Sequence, residues 1–414
     1  MYQPKHLRQQ PARGLLWCCT LAALAVLAAE LILFRQGKYF LFTGIWNDFH
    51  LRWQESRYLL RGADPIAVLR GQLPADAEIG EIWGAGGSVP WAYVWNIPCT
   101  FAWLPYEQAL ALARVLYPLT GLLLTVWLGF AVARKGGAAA GVCAAVLLLS
   151  SPAHVSSLQC GSNGYLLTVL LLLSVLYEEQ NPRLSAVLLA FTAVKPQLCG
   201  LFFAAKLLRR PLHTIAAGAA GVLVPWLAAG WLCGTSPLTM LLEIWQQGSG
   251  VYFAHCNFGL FSALYRGGVC ARGAAILLSA ALCSILVGAA ALHSCAKPAV
   301  WHYLPAALCT PLWMYLNDND YAVLLLPLGV LLAAAVRLQQ SGRPGLGALR
   351  AGAAMVLWQR PHVRLGIIVG EVQTGSLWLD FLVCNGEMLL WAVLLVAVWL
   401  MHREQAKKPA AIAG

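Results

Sequence analysis

The run Leu15–Phe34 carries one charged side chain, Glu30, and apolar runs like it recur at 107–133, 213–232, 269–295, 299–316, 321–336 and about 377–401. A helix needs roughly 17–25 such residues to cross a bilayer. Backbone facing lipid satisfies its hydrogen bonds only in helices or closed barrels. No polar stretch is long enough for a separate soluble domain, so residues 1–414 read as one membrane domain. Composition points the same way. Hydrophobic residues make up 60% of the chain and charged residues 11%, against about 25% charged in a soluble domain. Mean hydropathy is +0.67.

A net charge of +11 does not imply a nucleic-acid partner here, because the basic residues sit in short segments between apolar runs. Lys5, Arg8 and Arg13 precede the first run, Arg134 and Lys135 follow 107–133, and Arg209 and Arg210 follow 197–208. Arg337, Arg343 and Arg350 come after 321–336, and Arg403, Lys407 and Lys408 after the last run. Basic residues gather on the cytoplasmic side of membrane proteins. Both termini are therefore expected in the cytoplasm, at a cell (inner or plasma) membrane. Residues 35–105 become a first outer loop and 234–267 a second. Leu15–Phe34 is expected as a retained first helix rather than a cleaved signal peptide, since the apolar run is long.

The remaining segments follow from this sorting. Residues 91–104 are apolar but short, and predict a re-entrant or interfacial helix. The pieces 184–194 and 197–208, split by Lys195-Pro196-Gln197, predict a hairpin. Residues 150–163 read as a polar turn and 351–376 as holding one crossing. The expected fold is all-α and polytopic, with about twelve apolar helical passes and an outer-face amphipathic helix after the first span. Most acidic residues then fall on the outer face, where chemistry is expected. Thirteen cysteines are scattered, mostly in apolar runs, without metal-ligand spacing. Of these, Cys99, Cys160, Cys233 and Cys256 fall on the outer side.

Asn47 or Asp48 can cap a helix that Gly62 ends. Asp48, Arg52 and Glu55 then share one face, beside an apolar stripe of Phe49, Trp53 and Leu60. Such a helix suits the membrane interface. The plain reading is a surface helix with an Asp48–Arg52 ion pair. The chemical reading makes Asp48 a general base, kept ionised by the arginine and able to take a proton from a hydroxyl. Lys195 lies between two apolar pieces, where a charge is costly unless it meets an anion or a wet cavity, and Pro196 breaks the helix there. A snorkelling lysine at a kink and an ammonium awaiting a lipid phosphate both fit. Asp318-Asn319-Asp320 has the form of a DxD motif, but no nucleotide-binding domain accompanies it. Helix capping is its ordinary role, although oxygen ligands at this spacing can hold a divalent cation. His154 and His255 are loop histidines without assigned roles. GxSxG, P-loop, HExxH and dinucleotide fingerprints are absent from the sequence.

Taken in order, Asp48-Phe49, Leu60-Arg61-Gly62-Ala63-Asp64-Pro65, Lys195-Pro196-Gln197 and a polar cluster before Leu324-Leu325-Leu326-Pro327-Leu328 resemble glycosyltransferase family 87. These are the polyprenyl-phosphate-mannose-dependent mannosyltransferases of GT-C type, and the similarity runs over roughly 40–330. The resemblance implies a polyprenyl-phosphate-linked sugar donor, inversion and no nucleotide binding; a glycan or glycolipid acceptor is expected, and no cofactor or metal. It gives Asp48 the role of general base, and puts Lys195 and Gln197 near the donor phosphate with Arg52 and Arg57 as further phosphate ligands. Asn163, Asn257, Asp318 and Asp320 become candidates for binding acceptor or sugar. The chain departs from the family in two places. Phe258-Gly259 follows Asn257 in place of the usual polar pair, and Asp320 stands where the family commonly has a histidine. Rival readings are a glycan polymerase or ligase, and a transporter or flippase of lipid-linked glycans. The latter is expected to show internal repeats and midplane charge.

Overall fold

The structure is a computed structural model and describes residues 10–33, 46–82, 88–247, 259–266, 268–294, 298–313, 318–360, 386 and 388–397. Every regular element among the described residues is helical. In order these are α1 (Gln10–Leu33), α2 (Asn47–Leu60), α3 (Pro65–Leu69), α4 (Pro90–Thr100), α5 (Tyr106–Gly136), α6 (Ala138–Leu149), α7 (Pro152–Cys160), α8 (Gly164–Tyr177), α9 (Pro182–Thr192) and α10 (Pro196–Arg209). There follow α11 (Pro211–Cys233), which contains a π-helical turn at Ala219–Leu223, α12 (Pro237–Gln247), α13 (Leu260–Arg266), α14 (Arg272–Ser294) and α15 (Ala299–Trp313). A 3₁₀ turn at Asp318–Leu324 leads into α16 (Leu325–Gln340), then α17 (Pro344–Gln359) and α18 (Met388–Ala397).

Consecutive helices shuttle between two polar ends. At the first end, the Lys135 ammonium at the close of α5 donates to the Leu176 carbonyl near the close of α8 (3.0 Å). There too Arg209, the last residue of α10, pairs with Glu179 (3.1 Å), which also accepts from the Ala299 N–H that starts α15 (2.8 Å). Lys206, Glu178 and Ser185 form a fully buried cluster beside them: Lys206 pairs with Glu178, and Ser185 Oγ donates to the same carboxylate (2.8 Å). At the second end lie the α7–α8 turn, the α9–α10 break and the 3₁₀ turn. A buried ion pair joins the last two (2.9 Å).

Among the described residues, four helical stretches are long and apolar enough to cross a membrane: Tyr106–Gly136, Pro211–Cys233, Gly273–Ser294 and Asp320–Gln340. The bent pair α6–α7, angled by 45°, makes five if counted as one span. The expected count of about twelve passes is therefore not reached by length and composition. Helices α8, α9 and α10 are apolar but short, because Glu178, Lys195-Pro196 and Arg209 interrupt them; a 14-residue helix is only about 21 Å long.

Helix packing uses small residues. A Cβ at Gly141 would strike the Gly129 carbonyl across the α5–α6 crossing, so only glycine allows the two backbones this approach. α16 is the most enclosed of the long stretches, with 72% of its apolar window buried.

Two local expectations are corrected. Residues 150–163 do not form only a turn: Ser151 Oγ caps α7 by accepting from the His154 N–H (3.2 Å), with Pro152 at the first helical position. Nor is α2 a surface amphipathic helix. Phe49, Leu51, Trp53, Gln54, Glu55, Ser56, Tyr58 and Leu59 are all buried, and they run right round it. Its polar residues are consumed inside the fold. Gln54 donates to the Ile79 and Glu81 carbonyls (3.0 and 2.8 Å), Ser56 to the Tyr93 carbonyl (3.0 Å), and Tyr58 to the Gly80 carbonyl (2.8 Å).

α4 docks its indoles onto backbone, Trp91 to the Ala193 carbonyl (2.7 Å) and Trp95 to the Gly221 carbonyl (2.9 Å). With 11 residues it does not span. The stretch 351–376 begins in α17 and turns at Arg360; 361–376 lies outside the described residues. Cys99, Cys160 and Cys233 are free thiols, and Cys256 lies outside the described residues.

After Gly62, with its φ of +76°, the buried Asp64 carboxylate caps α3 by accepting from the Ile66 N–H (2.9 Å). Burial pushes its pKa above the usual carboxylate range. Asp64→Ala is expected to lower unfolding stability by about 1 kcal/mol, the worth of a cap. Asp64→Asn keeps the acceptor and is expected to show little loss in the same thermal-unfolding measurement.

Candidate functional site

The site is built around the turn from α7 to α8. Gly161 ends α7 in the left-handed region (φ +63°), and a Cβ there would strike the Trp46 ring and Phe49 Cβ. Trp46 in turn takes φ 47°, ψ 31° ahead of α2, a conformation a bulky residue adopts only when its surroundings hold it there. Its N–H donates to the Gln159 carbonyl (3.3 Å), and its ring packs on Phe49 (5.8 Å) and Tyr117 (5.9 Å). The first turn of α2 is thereby locked against the α7–α8 turn. Asp48 lies in that first turn, half-buried, near the positive end of the helix. Gly161→Ala is expected to destabilise the protein by several times the ~1 kcal/mol that Gly→Ala normally moves at a compatible position, with loss of near-ultraviolet tryptophan dichroism as the readout.

On the other side of the same turn, the Ser162 hydroxyl lies 3.5 Å from the Lys195 ammonium. Lys195 ends the α9–α10 break: its N–H bonds back to Thr192 (3.0 Å), and its carbonyl accepts from Leu198 and Cys199 (3.0 and 3.2 Å). Pro196 begins α10 where the missing N–H costs nothing. Lys195 pairs with Asp320 in the 3₁₀ turn at 2.9 Å, their side chains 9% and 1% exposed. An ion pair this enclosed has lost much of its hydration, and removing one partner leaves the other charge stranded.

Asn163 completes the turn, its amide donating to Asn96 Oδ1 (3.4 Å). Three buried N–H donors nearby lack a hydrogen-bond partner: Trp46 Nε1, Asn96 Nδ2 and Gln159 Nε2. Buried donors are rarely left so. Collected around one turn, they suit an oxygen-rich ligand. Arg360, buried at the end of α17, lies over the Tyr321 ring at 3.6 Å, on the far side of the 3₁₀ turn that carries Asp320.

The structure thus brings Asp48, Asn163, Lys195 and Asp320 to one end of the bundle. Gln197 contributes its main-chain carbonyl, which accepts from the Trp313 indole (2.8 Å). Arg52 pairs with Glu55 (3.0 Å) and Ser88, so the ion pair expected with Asp48 is made with Glu55 instead. The reason lies in register: Glu55 is fixed by the Ser88 N–H (2.7 Å) and hydroxyl, and Arg52 completes that set. Arg57 donates to the Ala102 carbonyl (3.0 Å). Asp318 begins the 3₁₀ turn, and Asn257 lies outside the described residues. Asn96, Ser88 and Arg360 were not legible as site residues, since each becomes relevant only through a tertiary neighbour.

The family model for glycosyltransferase family 87 matches residues 97–316, more than half of the chain. The matched segment contains the α7–α8 turn and the Lys195 break. No curated protein matches, and no solved structure does.

Proposed function

The chain belongs to glycosyltransferase family 87, and from that premise we propose that it moves a sugar from a polyprenyl-phosphate donor to a hydroxyl of a glycan or glycolipid acceptor, with inversion, on the extracytoplasmic side of the cell membrane. The observation that carries this reading is the buried Lys195 at a broken helix, beside a turn ringed by unpartnered N–H donors. A lipid phosphate needs a cation at membrane depth, and the N-terminus of α10 adds its own attraction for an anion. A sugar supplies the acceptor oxygens that the orphaned donors call for.

In this mechanism Lys195 holds the donor phosphate and Asp320 keeps the ammonium at the head of α10. Asp48 takes the proton of the acceptor hydroxyl as that oxygen attacks the anomeric carbon. The bond from that carbon to the phosphate oxygen breaks on the opposite face, and the departing charge stays on the lipid phosphate, where a nearby cation stabilises it. The reaction needs no cofactor. Asn163 and Asn96 orient the sugar. Asn257, Asp318, Gln197, Arg52 and Arg57 remain candidates for the acceptor and phosphate sides.

The test is sugar transfer by the purified protein in nanodiscs, with a panel of radiolabelled polyprenyl-phosphate mannose, other hexoses and arabinofuranose. Transfer from one donor, with the product's anomeric configuration inverted, is the expected result and names the sugar. Transfer from nucleotide sugars, or movement of intact lipid-linked glycan across vesicles without glycosidic bond formation, overturns the reading.

A further inference from the structure

Two indoles bracket Lys195. The Ala193 carbonyl, just before it, accepts from Trp91 Nε1 on α4 (2.7 Å). The Gln197 carbonyl, just after it, accepts from Trp313 Nε1 at the end of α15 (2.8 Å). The first acceptor is free for this because the helix is broken. Pro196 cannot continue the α9 ladder, and the last carbonyls of a helix need partners from elsewhere. The Lys195 N–H takes the Thr192 carbonyl in a tight turn, and Trp91 takes that of Ala193. On the other side Gly200 makes room for the second indole, since a Cβ there would lie 3.2 Å from the Trp313 ring.

Both tryptophans are themselves held. Trp91 packs edge-on against Trp226 (6.4 Å), whose own N–H donates to the Pro237 carbonyl (2.9 Å). The Trp313 carbonyl accepts from Ser279 Oγ on α14 (2.7 Å), which ties the end of α15 to its neighbour. The ion pair with Asp320 grips only the tip of Lys195, and a flexible four-carbon stem does not fix the backbone it springs from. We propose that Trp91 and Trp313 are positioning residues, whose N–H groups hold the α9–α10 break in the arrangement that presents the Lys195 ammonium to a lipid phosphate. This rests on the reading above in which Lys195 holds the donor phosphate. Loss of either bond lowers the fraction of molecules in that arrangement, and phosphate affinity falls by the same factor.

The experiment loads the full chain, in mild detergent, with a polyprenyl monophosphate and the matching polyprenol, and counts the bound forms by native mass spectrometry. The ratio of bound phosphate to bound alcohol reads the phosphate contact alone. Trp91→benzothienylalanine and Trp313→benzothienylalanine keep the shape of the ring and put sulfur where the N–H was. Each is expected to lower the phosphate preference about five-fold, the worth of one hydrogen bond, with polyprenol binding unchanged. Trp91→Phe and Trp313→Phe, which also lose part of the ring, are expected to show at least that loss. The same isostere at Trp95, whose N–H bonds to the Gly221 carbonyl in the π-helical turn (2.9 Å) rather than to the break, is expected to change neither quantity. An isostere that retains the preference overturns the role of its residue. An equal loss at Trp95, or a parallel loss of polyprenol binding, overturns the proposal as a whole. Lys195→Met separates the two readings. If it keeps the phosphate preference, the phosphate reading fails and takes this one with it. If it loses the preference while both isosteres keep it, the indoles alone are removed from the mechanism.

Discussion

Asp48→Asn is expected to cut sugar transfer by about 10²–10⁴-fold, the usual contribution of a positioned general base, while leaving the unfolding temperature within about a degree of wild type. The second half of this expectation comes from the geometry. Asp48 is half-buried, and among the described residues its side chain makes no hydrogen bond or ion pair that holds the fold together. Its position is set by Trp46, Phe49 and Gly161 rather than by its own carboxylate. Asparagine has the same shape, keeps an acceptor near the first turn of α2, and lacks only the proton affinity. Parallel measurement of transfer, donor binding and thermal unfolding separates the outcomes. Unchanged transfer moves the base elsewhere, with Asp320 the next carboxylate to examine. Loss of both transfer and fold makes Asp48 structural.

Lys195→Met is expected to abolish donor binding and to destabilise the protein by about 3–5 kcal/mol, because Asp320 is left buried without its ammonium. Asp320→Leu is expected to cost a similar amount by stranding Lys195. The double variant, Lys195→Met with Asp320→Leu, removes both charges and is expected to regain most of the stability, as replacement of a buried pair by apolar groups commonly does. It should regain none of the transfer. This thermodynamic cycle distinguishes a lysine that binds phosphate from one that only holds two turns together. A double variant that folds and transfers sugar at the wild-type rate removes Lys195 from the mechanism.

Much of this arrangement could be read from the sequence. The apolar runs, the proline break at Lys195-Pro196 and a helix that starts near Asn47 and stops before Gly62 follow from local rules, but the helix is preceded by Trp46 without a side-chain cap rather than capped by Asn47 or Asp48. What failed was everything decided by tertiary pairing. Gln54, Glu55 and Ser56 carry no local sign of burial, yet each bonds to residues 25 to 37 positions away. Lys206 sits in an apolar helix like a snorkelling lysine, and only the fold reveals Glu178 and Ser185 beside it. The twelve-pass expectation counted short apolar pieces among its passes, whereas α8, α9 and α10 are too short to qualify as spans by length. Arg360 carries no local signal; its meaning comes from Tyr321.

The ion pair between Lys195 and Asp320 also has a history written into the chain. Its partners are separated by 125 residues, and a ribosome adding about 5–20 residues per second needs roughly 6–25 s to make that interval. For that time the nascent protein carries a lysine at membrane depth whose carboxylate does not yet exist. Fragments ending before the 3₁₀ turn keep that lysine without its carboxylate. The end of the bundle that holds the candidate site is therefore complete only on the arrival of Asp320.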